Sequence, residues 1–141
     1  EGVRGWGPTY AQLRWDLGPA DYTRRANEEI VTVALIEHEQ AVRNIGSIAG
    51  TPALDVAFIA TSDLAASLGH LGDVQHPEVK EAIREIENAV LESDAVLGGI
   101  AGSAEAAIEM IQRGYRFLNL GSDIGLLSRT ASTLLDSIRS A

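Results

Sequence analysis

The chain has 141 residues, of which 45% are hydrophobic and 22% charged, a composition typical of a folded soluble protein and too apolar for intrinsic disorder. Its net charge of −9 disfavours nucleic acid as a partner, and the lack of cysteine excludes disulfides, thiolate nucleophiles and cysteine-ligated zinc. No apolar stretch approaches the roughly 20 residues of a membrane span and no signal-peptide pattern opens the chain, so we expect a cytoplasmic protein without a membrane partner.

Four short apolar runs predict the strands of a sheet. Each run is nearly continuous rather than alternating, which is typical of parallel strands that are buried on both faces. The runs are Ile30 to Ile36, Val56 to Ala60, Ala95 to Ile100 and Phe117 to Leu120.

Two segments have the residue spacing of amphipathic helices. Apolar residues recur at intervals of three and four over Val79 to Val90 and again over Leu127 to Ile138. Charged residues occupy the opposite side of the first of these helices. Pro77, which follows His76, suits the first position of that helix after its cap.

Three further helices are predicted from the residues at their ends. Proline at the first position favours a short helix over Pro19 to Glu29. The helix after the first strand should end at Gly50-Thr51-Pro52. Ser103 can cap a helix over Ala104 to Gln112, and Gly114 then stands where a left-handed residue ends a helix.

Strands therefore alternate with helices after a loop-rich entry. This order implies right-handed crossovers and a parallel α/β sheet. Four such units form either a small open sheet or half of an eight-stranded barrel, which typically needs about 250 residues. Because no linker, repeat or low-complexity tract interrupts the chain, we expect residues 1–141 to form a single structural unit.

Acidic residues follow three of the predicted strands. Glu37 ends the first strand, Asp63 lies just beyond the second, and Asp123 lies just beyond the fourth. Because the carboxyl ends of parallel strands meet at one edge, Glu37 and Asp63 are expected to converge. Paired carboxylates suit a divalent cation such as Mg²⁺, Mn²⁺ or Co²⁺. The alternative for each of these acids is helix capping.

The turn from Ala60 to Leu64 predicts an anion site beside the acids. Small residues after a buried strand leave backbone N–H groups free to bind a carboxylate or a phosphate. An anion that these amides hold and that also chelates the cation would have the shape of an α-keto acid. The alternative is an ordinary strand-to-helix turn in which Asp63 is the cap.

A set of longer motifs runs through the chain. It comprises Glu1-Gly2-Val3-Arg4-Gly5, Ile36-Glu37, Ala41-Val42-Arg43-Asn44-Ile45, Phe58 to Gly69, His76-Pro77-Glu78-Val79, Gly98-Gly99-Ile100 and Gly121-Ser122-Asp123. In this order the motifs resemble the HpcH/HpaI aldolases, which are metal-dependent class II pyruvate aldolases such as the hydroxy-oxoheptanedioate and dehydro-deoxyglucarate aldolases. The stretch Leu68 to Gly72 is most similar to the dehydro-deoxyglucarate branch.

The resemblance implies a fold, a reaction and a site. The fold is a (β/α)₈ TIM barrel, of which this chain matches strands five to eight, so we expect the first half upstream of Glu1. The implied metal ligands are Glu37 and Asp63, and the Ser62 and Asp63 amides are implied to hold the pyruvate carboxylate. The implied reaction is reversible cleavage of a 4-hydroxy-2-oxo acid to pyruvate and an aldehyde, through a metal-stabilised enolate.

The resemblance assigns no catalytic residue to this half, because the family's proton-transferring histidine and its keto-binding arginine belong to the first half. It also implies a homo-oligomer, a hexamer, with the last helix, Ile124 to Ser140, at a subunit contact. His38 and His76 are interpreted as structural, the latter as a helix cap. His70 can reach a substrate or a neighbouring subunit from its glycine-rich loop. Asp123 most simply caps the last helix.

Two positions depart from the family's pattern. Ala60-Thr61 stands where the family usually has Gly-Pro, and Leu35 stands where it commonly has Gln. The first change frees a backbone N–H, and the second removes a polar contact near the ligand. They leave open a related enolate reaction, either decarboxylation or Claisen-type cleavage, and a non-catalytic module that binds a keto acid or serves in oligomer assembly.

Overall fold

The computed structural model describes residues 5, 7 and 9–140. Most of the first motif, Glu1 to Arg4, lies outside the described residues. The chain consists of two compact units, within each of which the residues contact one another closely in space. The first unit ends at Val31 and the second begins at Thr32. The assignment of residues 1–141 to a single domain stays a prediction.

The first unit contains the helices α1 (Thr9–Arg14) and α2 (Pro19–Glu29). Pro19 opens α2 after the extended residue Gly18, which confirms the predicted bounds of this helix. Helix α1 lies in the segment that was predicted to be rich in loops, and that prediction is wrong for its six residues. Its first turn has no acidic residue and the helix buries no side chain, so Arg14 in its last turn is a weak signal on which to predict it.

The second unit is built on a parallel four-stranded sheet in the order β1-β2-β3-β4. The strands are β1 (Val33–Ile36), β2 (Val56–Ile59), β3 (Val96–Ile100) and β4 (Phe117–Asn119). All four predicted strands and the parallel topology are confirmed. The largest difference is at β1, where residues 30–32 precede the paired segment instead of belonging to it.

Helices separate the strands of this unit as the sequence predicted. They are α3 (Glu39–Arg43) and α4 (Ile45–Ala49) between β1 and β2, α5 (Thr61–Ser67) and α6 (Pro77–Leu91) between β2 and β3, α7 (Ala104–Gln112) between β3 and β4, and α8 (Asp123–Arg139) after β4. The predicted single helix after β1 is in fact two short helices that meet at Asn44.

Side chains at the helix ends confirm most of the predicted caps. Ser103 Oγ accepts a hydrogen bond of 3.2 Å from the Ala106 N–H at the start of α7, and Gly114 has a φ of +103° just beyond its end. The cap of α8 is Ser122, whose Oγ accepts a bond of 3.0 Å from the Gly125 N–H. Asp123 is the first residue of that helix, so its assignment as the cap was wrong.

The two faces of the sheet have different surroundings. One face packs against the helices and forms the core, whose most buried side chains are Ile36, Ala57, Ile59, Leu64, Ile86, Val90 and Leu97. On the other face Leu35 and Ile100 are 56% and 57% exposed, and Val33 and Phe117 are 40% and 41% exposed. The expectation of strands buried on both faces is therefore wrong for these positions, because the second unit places helices on one side only.

Helix α8 is also incompletely covered. It buries none of its side chains, and its apolar residues Ile124, Leu127, Leu134 and Ile138 are all more than 60% exposed. An exposed apolar stripe of this kind is typical of a surface that contacts another protein segment. Over the part of the chain that the structure describes, no helix combines the length and the apolar character needed to cross a bilayer.

Candidate active site at the carboxyl edge of the sheet

The pairing of β1 with β2 brings the two predicted metal ligands to one edge of the sheet. Ile36 and Ile59, the last residues of these strands, are register partners, and the Ala60 N–H donates a bond of 3.2 Å to the Ile36 carbonyl. Glu37 is the next residue after β1, and Asp63 lies in the first turn of α5, which follows β2. Both acids therefore stand at the carboxyl ends of neighbouring parallel strands, where ligands bind in α/β folds.

The carboxylates of Glu37 and Asp63 are both exposed to solvent. Within the described ranges, neither the Glu37 nor the Asp63 side chain has a hydrogen bond or an ion pair. The cap of α5 is Ala60, which makes no side-chain bond, so the alternative interpretation of Asp63 as a cap is not what the structure contains. Free carboxylate oxygens on two adjacent strand ends are the donor type that hard divalent cations take.

The first turn of α5 presents backbone N–H groups at the same edge. An α-helix has no internal acceptors for its first N–H groups, here those of Thr61, Ser62 and Asp63, and no side chain caps them. The first helical bond in this turn is donated by the Leu64 N–H to the Ala60 carbonyl, at 2.9 Å. An anion next to Asp63 would meet these N–H groups and the positive end of the helix dipole.

The segment that carries Glu37 is anchored on both sides. Immediately before Glu37, Ile36 is 1% exposed in the core. Immediately after it, His38 Nδ1 caps α3 by accepting a bond of 3.1 Å from the Gln40 N–H, so the structural interpretation of His38 is confirmed. The Glu39 N–H donates a bond of 2.9 Å to Ser67 Oγ at the end of α5, and this bond joins the Glu37 segment to the helix that carries Asp63.

The two departures from the family's pattern lie beside these acids. Leu35 precedes Glu37 by two residues and pairs with Phe58 across β1 and β2, on the uncovered face of the sheet. Phe58 contacts Phe117 edge to face, with ring centroids 6.2 Å apart. Thr61 is half-buried at the first position of α5. The surroundings of the site are thus more apolar at Leu35 than a glutamine would make them.

The structure also brings together a second group of side chains, those of His70, His76 and Glu78. The sequence analysis did not predict that these residues would lie close to one another. His70 Nε2 lies 2.8 Å from Glu78 Oε2, and the His70 ring stacks on the His76 ring with centroids 3.4 Å apart. His76 Nδ1 accepts a bond of 3.2 Å from the Glu78 N–H at the start of α6, which confirms its interpretation as a cap. The hydrogen bond with His70 holds the pKa of the Glu78 carboxyl below its usual value.

Asp123 follows β4 at the same edge of the sheet as the other acids. Its Oδ1 accepts a bond of 2.7 Å from the Ile124 N–H within the first turn of α8. The carboxylate is therefore already engaged with the backbone, in contrast to those of Glu37 and Asp63.

Comparison with known proteins assigns a family to this arrangement. The sequence pattern described as "HpcH/HpaI aldolase/citrate lyase" matches residues 16–130, and the chain belongs to this family. Curated relatives include the 5-keto-4-deoxy-D-glucarate aldolases of Shigella boydii serotype 18 and Escherichia coli O6:H1, each 34% identical over 139 residues. These matches cover 99% of this chain and 54% of each relative, so the chain spans about half the length of the curated proteins that it matches.

Solved structures have the same fold over the same half. An HpcH/HpaI aldolase/citrate lyase family protein from Burkholderia cenocepacia J2315 is 32% identical with a TM-score of 0.87. The match covers 98% of this chain and 53% of the Burkholderia chain. The HpcH/HpaI aldolase from Desulfitobacterium hafniense DCB-2 is 27% identical with a TM-score of 0.83, over 99% and 54% of the two chains. The second unit is accordingly the C-terminal half of a TIM barrel, and its uncovered sheet face is the interior face of that barrel.

Proposed function

We propose that this chain supplies the metal-binding half of an aldolase that reversibly cleaves a 4-hydroxy-2-oxo acid to pyruvate and an aldehyde. The observation that carries the proposal is the position of Glu37 and Asp63 on adjacent strand ends, with both carboxylates free of other partners. Membership of the HpcH/HpaI family and the likeness to 5-keto-4-deoxy-D-glucarate aldolases support it. The whole reaction needs groups that these residues do not provide.

Glu37 and Asp63 would hold a divalent cation, Mg²⁺, Mn²⁺ or Co²⁺. Two carboxylates leave several of its coordination positions for water and substrate, as such ions require. When bound, the cation supplies a Lewis acid that stabilises the negative charge of the pyruvate enolate. Because Ile36 is buried and Glu39 is bonded to Ser67, the Glu37 backbone is held in place before any ligand arrives.

The N–H groups of Ser62 and Asp63 would bind the carboxylate of pyruvate. They point out of the first turn of α5 and have no acceptor within the helix. A carboxylate at this position would gain from the positive end of the helix dipole. Of the three described histidines, His38 and His76 cap helices and His70 is bonded to Glu78, and no base for proton transfer is assigned to this half.

Related enolate chemistry is the second candidate, and Leu35 favours it. A leucine two residues before Glu37 removes a polar contact that the family's glutamine would offer to a hydroxylated substrate. The substrates of oxo-acid decarboxylation and of Claisen-type cleavage would present fewer hydroxyl groups to the position of Leu35. A module that binds a keto acid without turning it over fits the same site, and it differs by showing binding without products.

Assembly into a homo-oligomer is proposed as well. The apolar stripe of α8, with Ile124 and Leu127 near its start and Ile138 near its end, is exposed in a single chain. Burial of such a stripe against another subunit would stabilise an assembly by about 25 cal/mol for each Å² of apolar surface removed from water. The family resemblance implies a hexamer.

Activity measurements on the full-length protein test the proposal. We expect Glu37→Gln and Asp63→Asn each to lower the Mn²⁺-dependent rate of pyruvate release from a 4-hydroxy-2-oxo acid by about a thousandfold, because several kcal/mol of charge stabilisation is lost. Asp94→Asn, an exposed acid that precedes β3 at the opposite edge, is the matched control and should retain the rate. Retained activity in either of the first two variants overturns the proposal.

Mn²⁺ and pyruvate titrations separate the alternatives. Binding of both without release of an aldehyde supports the keto-acid module, and binding of neither supports an assembly module. Product analysis with an oxo acid that has no 4-hydroxyl group identifies decarboxylation. Each of these three results selects one alternative to the aldolase.

A further inference from the structure

We propose a second metal site, for a borderline divalent cation such as Zn²⁺, formed by His70, His76 and Glu78. One ligand atom from each of these residues lies within 4.8 Å of the other two. It is the one group of three or more such ligands that the described part of the chain brings together. None of its three residues belongs to the proposed pyruvate site: they come from the α5–α6 loop and the first turn of α6, whereas Glu37 follows β1 and Asp63 lies in the first turn of α5.

The distances in this cluster are close to those around a bound ion. Zinc binds imidazole nitrogen and carboxylate oxygen at about 2.1 Å in a tetrahedron, so two of its ligand atoms lie roughly 3.4 Å apart. His70 Nε2 and Glu78 Oε2 are 2.8 Å apart in a hydrogen bond, so they need to separate only slightly to take an ion between them. The His76 ring lies against the His70 ring, 3.4 Å between centroids and 17° between planes, and its ligand nitrogen lies within 4.8 Å of the other two ligand atoms.

The backbone of the loop is held in place independently of any metal. Gly69 and Gly72 have φ values of +85° and +83°, a region that favours glycine, and they turn the chain on either side of His70. The Asp73 N–H donates a bond of 2.9 Å to the His70 carbonyl, and the His76 N–H donates one of 3.2 Å to the Asp73 carbonyl. The loop backbone that carries the cluster is thus fixed before binding, which lowers the entropy cost of forming the site.

The donor set distinguishes this cluster from the pair at the strand ends. Two imidazoles and one carboxylate suit zinc and its neighbours, whereas Mg²⁺ prefers oxygen ligands alone. Glu78 is 60% exposed and His70 22% exposed, so an ion can enter from solvent and keep a water ligand.

Metal binding would break two hydrogen bonds that the structure contains, and the first is the bond between His70 Nε2 and Glu78 Oε2, which gives way to the ion. The second is the bond that His76 Nδ1 accepts from the Glu78 N–H. A neutral imidazole has a single lone-pair nitrogen, so a metal on either nitrogen of His76 removes this acceptor. We therefore expect the Glu78 amide to change its chemical shift and to exchange with solvent faster in the zinc-bound protein.

Zinc titration of the full-length Glu37→Gln/Asp63→Asn protein tests the site, because that background lacks the proposed pyruvate-site ligands. We expect it to bind one Zn²⁺, and addition of His76→Asn to weaken binding at least tenfold, which is the smaller of the effects known for groups that only support a ligand. Asparagine is a good helix cap, so the start of α6 is preserved. Glu78→Gln and His70→Ala should weaken binding similarly.

His38→Asn is the matched control. His38 caps α3 through Nδ1 as His76 caps α6, and it stands outside the cluster. This variant should bind Zn²⁺ as tightly as the parent, and far-UV circular dichroism should show that all variants are folded. The proposal is overturned if the double variant binds no Zn²⁺, if His76→Asn leaves the affinity unchanged, or if His38→Asn weakens it equally.

Discussion

The main-chain N–H of Glu39 donates a hydrogen bond of 2.9 Å to the side-chain oxygen of Ser67. The bond joins residues 28 positions apart and ties the segment after β1 to the end of α5. Glu37 lies two residues before the donor, and Asp63 lies four residues before the acceptor on the same helix. One hydrogen bond thus links the backbones that carry the two proposed metal ligands.

Removal of this bond should lower the affinity for the metal and cause only a small loss of unfolding free energy. We expect Ser67→Ala to cost about 1 kcal/mol of unfolding free energy and to raise the Kd for Mn²⁺ several-fold, because the Glu37 segment loses an anchor. Ser47→Ala, an exposed serine of α4, is the control. Calorimetric titration and urea denaturation of the full-length variants measure both quantities, and an unchanged Kd would show that the bond does not position Glu37.

The sheet leaves no room for a side chain at Gly98. A Cβ atom there would lie 2.8 Å from Val56 Cγ1 and 2.9 Å from Phe58 Cδ2. We expect Gly98→Ala to destabilise the protein by about 1–3 kcal/mol, the usual cost of overpacking. Gly46→Ala in α4, where a Cβ meets nothing within 4 Å, should leave stability equal or slightly higher. Thermal unfolding checks this pair, and an equal effect of both substitutions would contradict the close packing.

Glu87 and Tyr115 form the buried polar contact of the second unit. Tyr115 is 2% exposed and donates a bond of 2.7 Å to Glu87 Oε1, which also pairs with Arg113. Burial raises the pKa of the Tyr115 hydroxyl, so it donates at neutral pH. We expect Tyr115→Phe to cost about 1–3 kcal/mol, because the carboxylate loses a partner away from water.

Tyr10→Phe provides the comparison for that substitution, since Tyr10 is 89% exposed. Urea denaturation should find this variant within about 0.5 kcal/mol of the parent. If Tyr115→Phe is equally neutral, the Arg113 pair alone satisfies Glu87 and the hydroxyl is dispensable.

Acid sensitivity should depend on Glu78. Its pKa is lowered from 4.5 chiefly by the hydrogen bond with His70, so the folded state binds this proton less readily than the unfolded state. The resulting stability is present above the unfolded pKa and is lost as the pH falls through the lowered folded pKa. We expect Glu78→Gln to flatten the fall in unfolding free energy below about pH 4.5. Urea denaturation of the parent and the variant at several acidic pH values measures this, and identical acid profiles of the two proteins would contradict it.

Much of the fold could be predicted because its signals are local. Continuous apolar runs mark buried strands, so β2 and β3 were located to within a residue. Ser103 and Gly114 mark the ends of α7 through bonds and backbone angles that involve only nearby residues. The break between α3 and α4 at Asn44 gives no such signal, since the apolar spacing continues through it.

The remainder depends on contacts between distant residues. Exposure of Leu35 reflects what covers the sheet, which a strand's own residues do not encode. The edge shared by Glu37 and Asp63 follows from parallel pairing and could be predicted. The group of His70, His76 and Glu78 could not, because it depends on the path of a glycine-containing loop that periodicity does not describe.

The most direct test of the account is a crystal structure of the full-length protein with Mn²⁺ and pyruvate, in which anomalous scattering locates the ion. We expect the ion about 2.1 Å from a carboxylate oxygen of Glu37 and of Asp63, with the pyruvate carboxylate at the N–H groups of Ser62 and Asp63. An ion that touches neither carboxylate, or pyruvate bound elsewhere, would contradict the assignment of this edge as the active site.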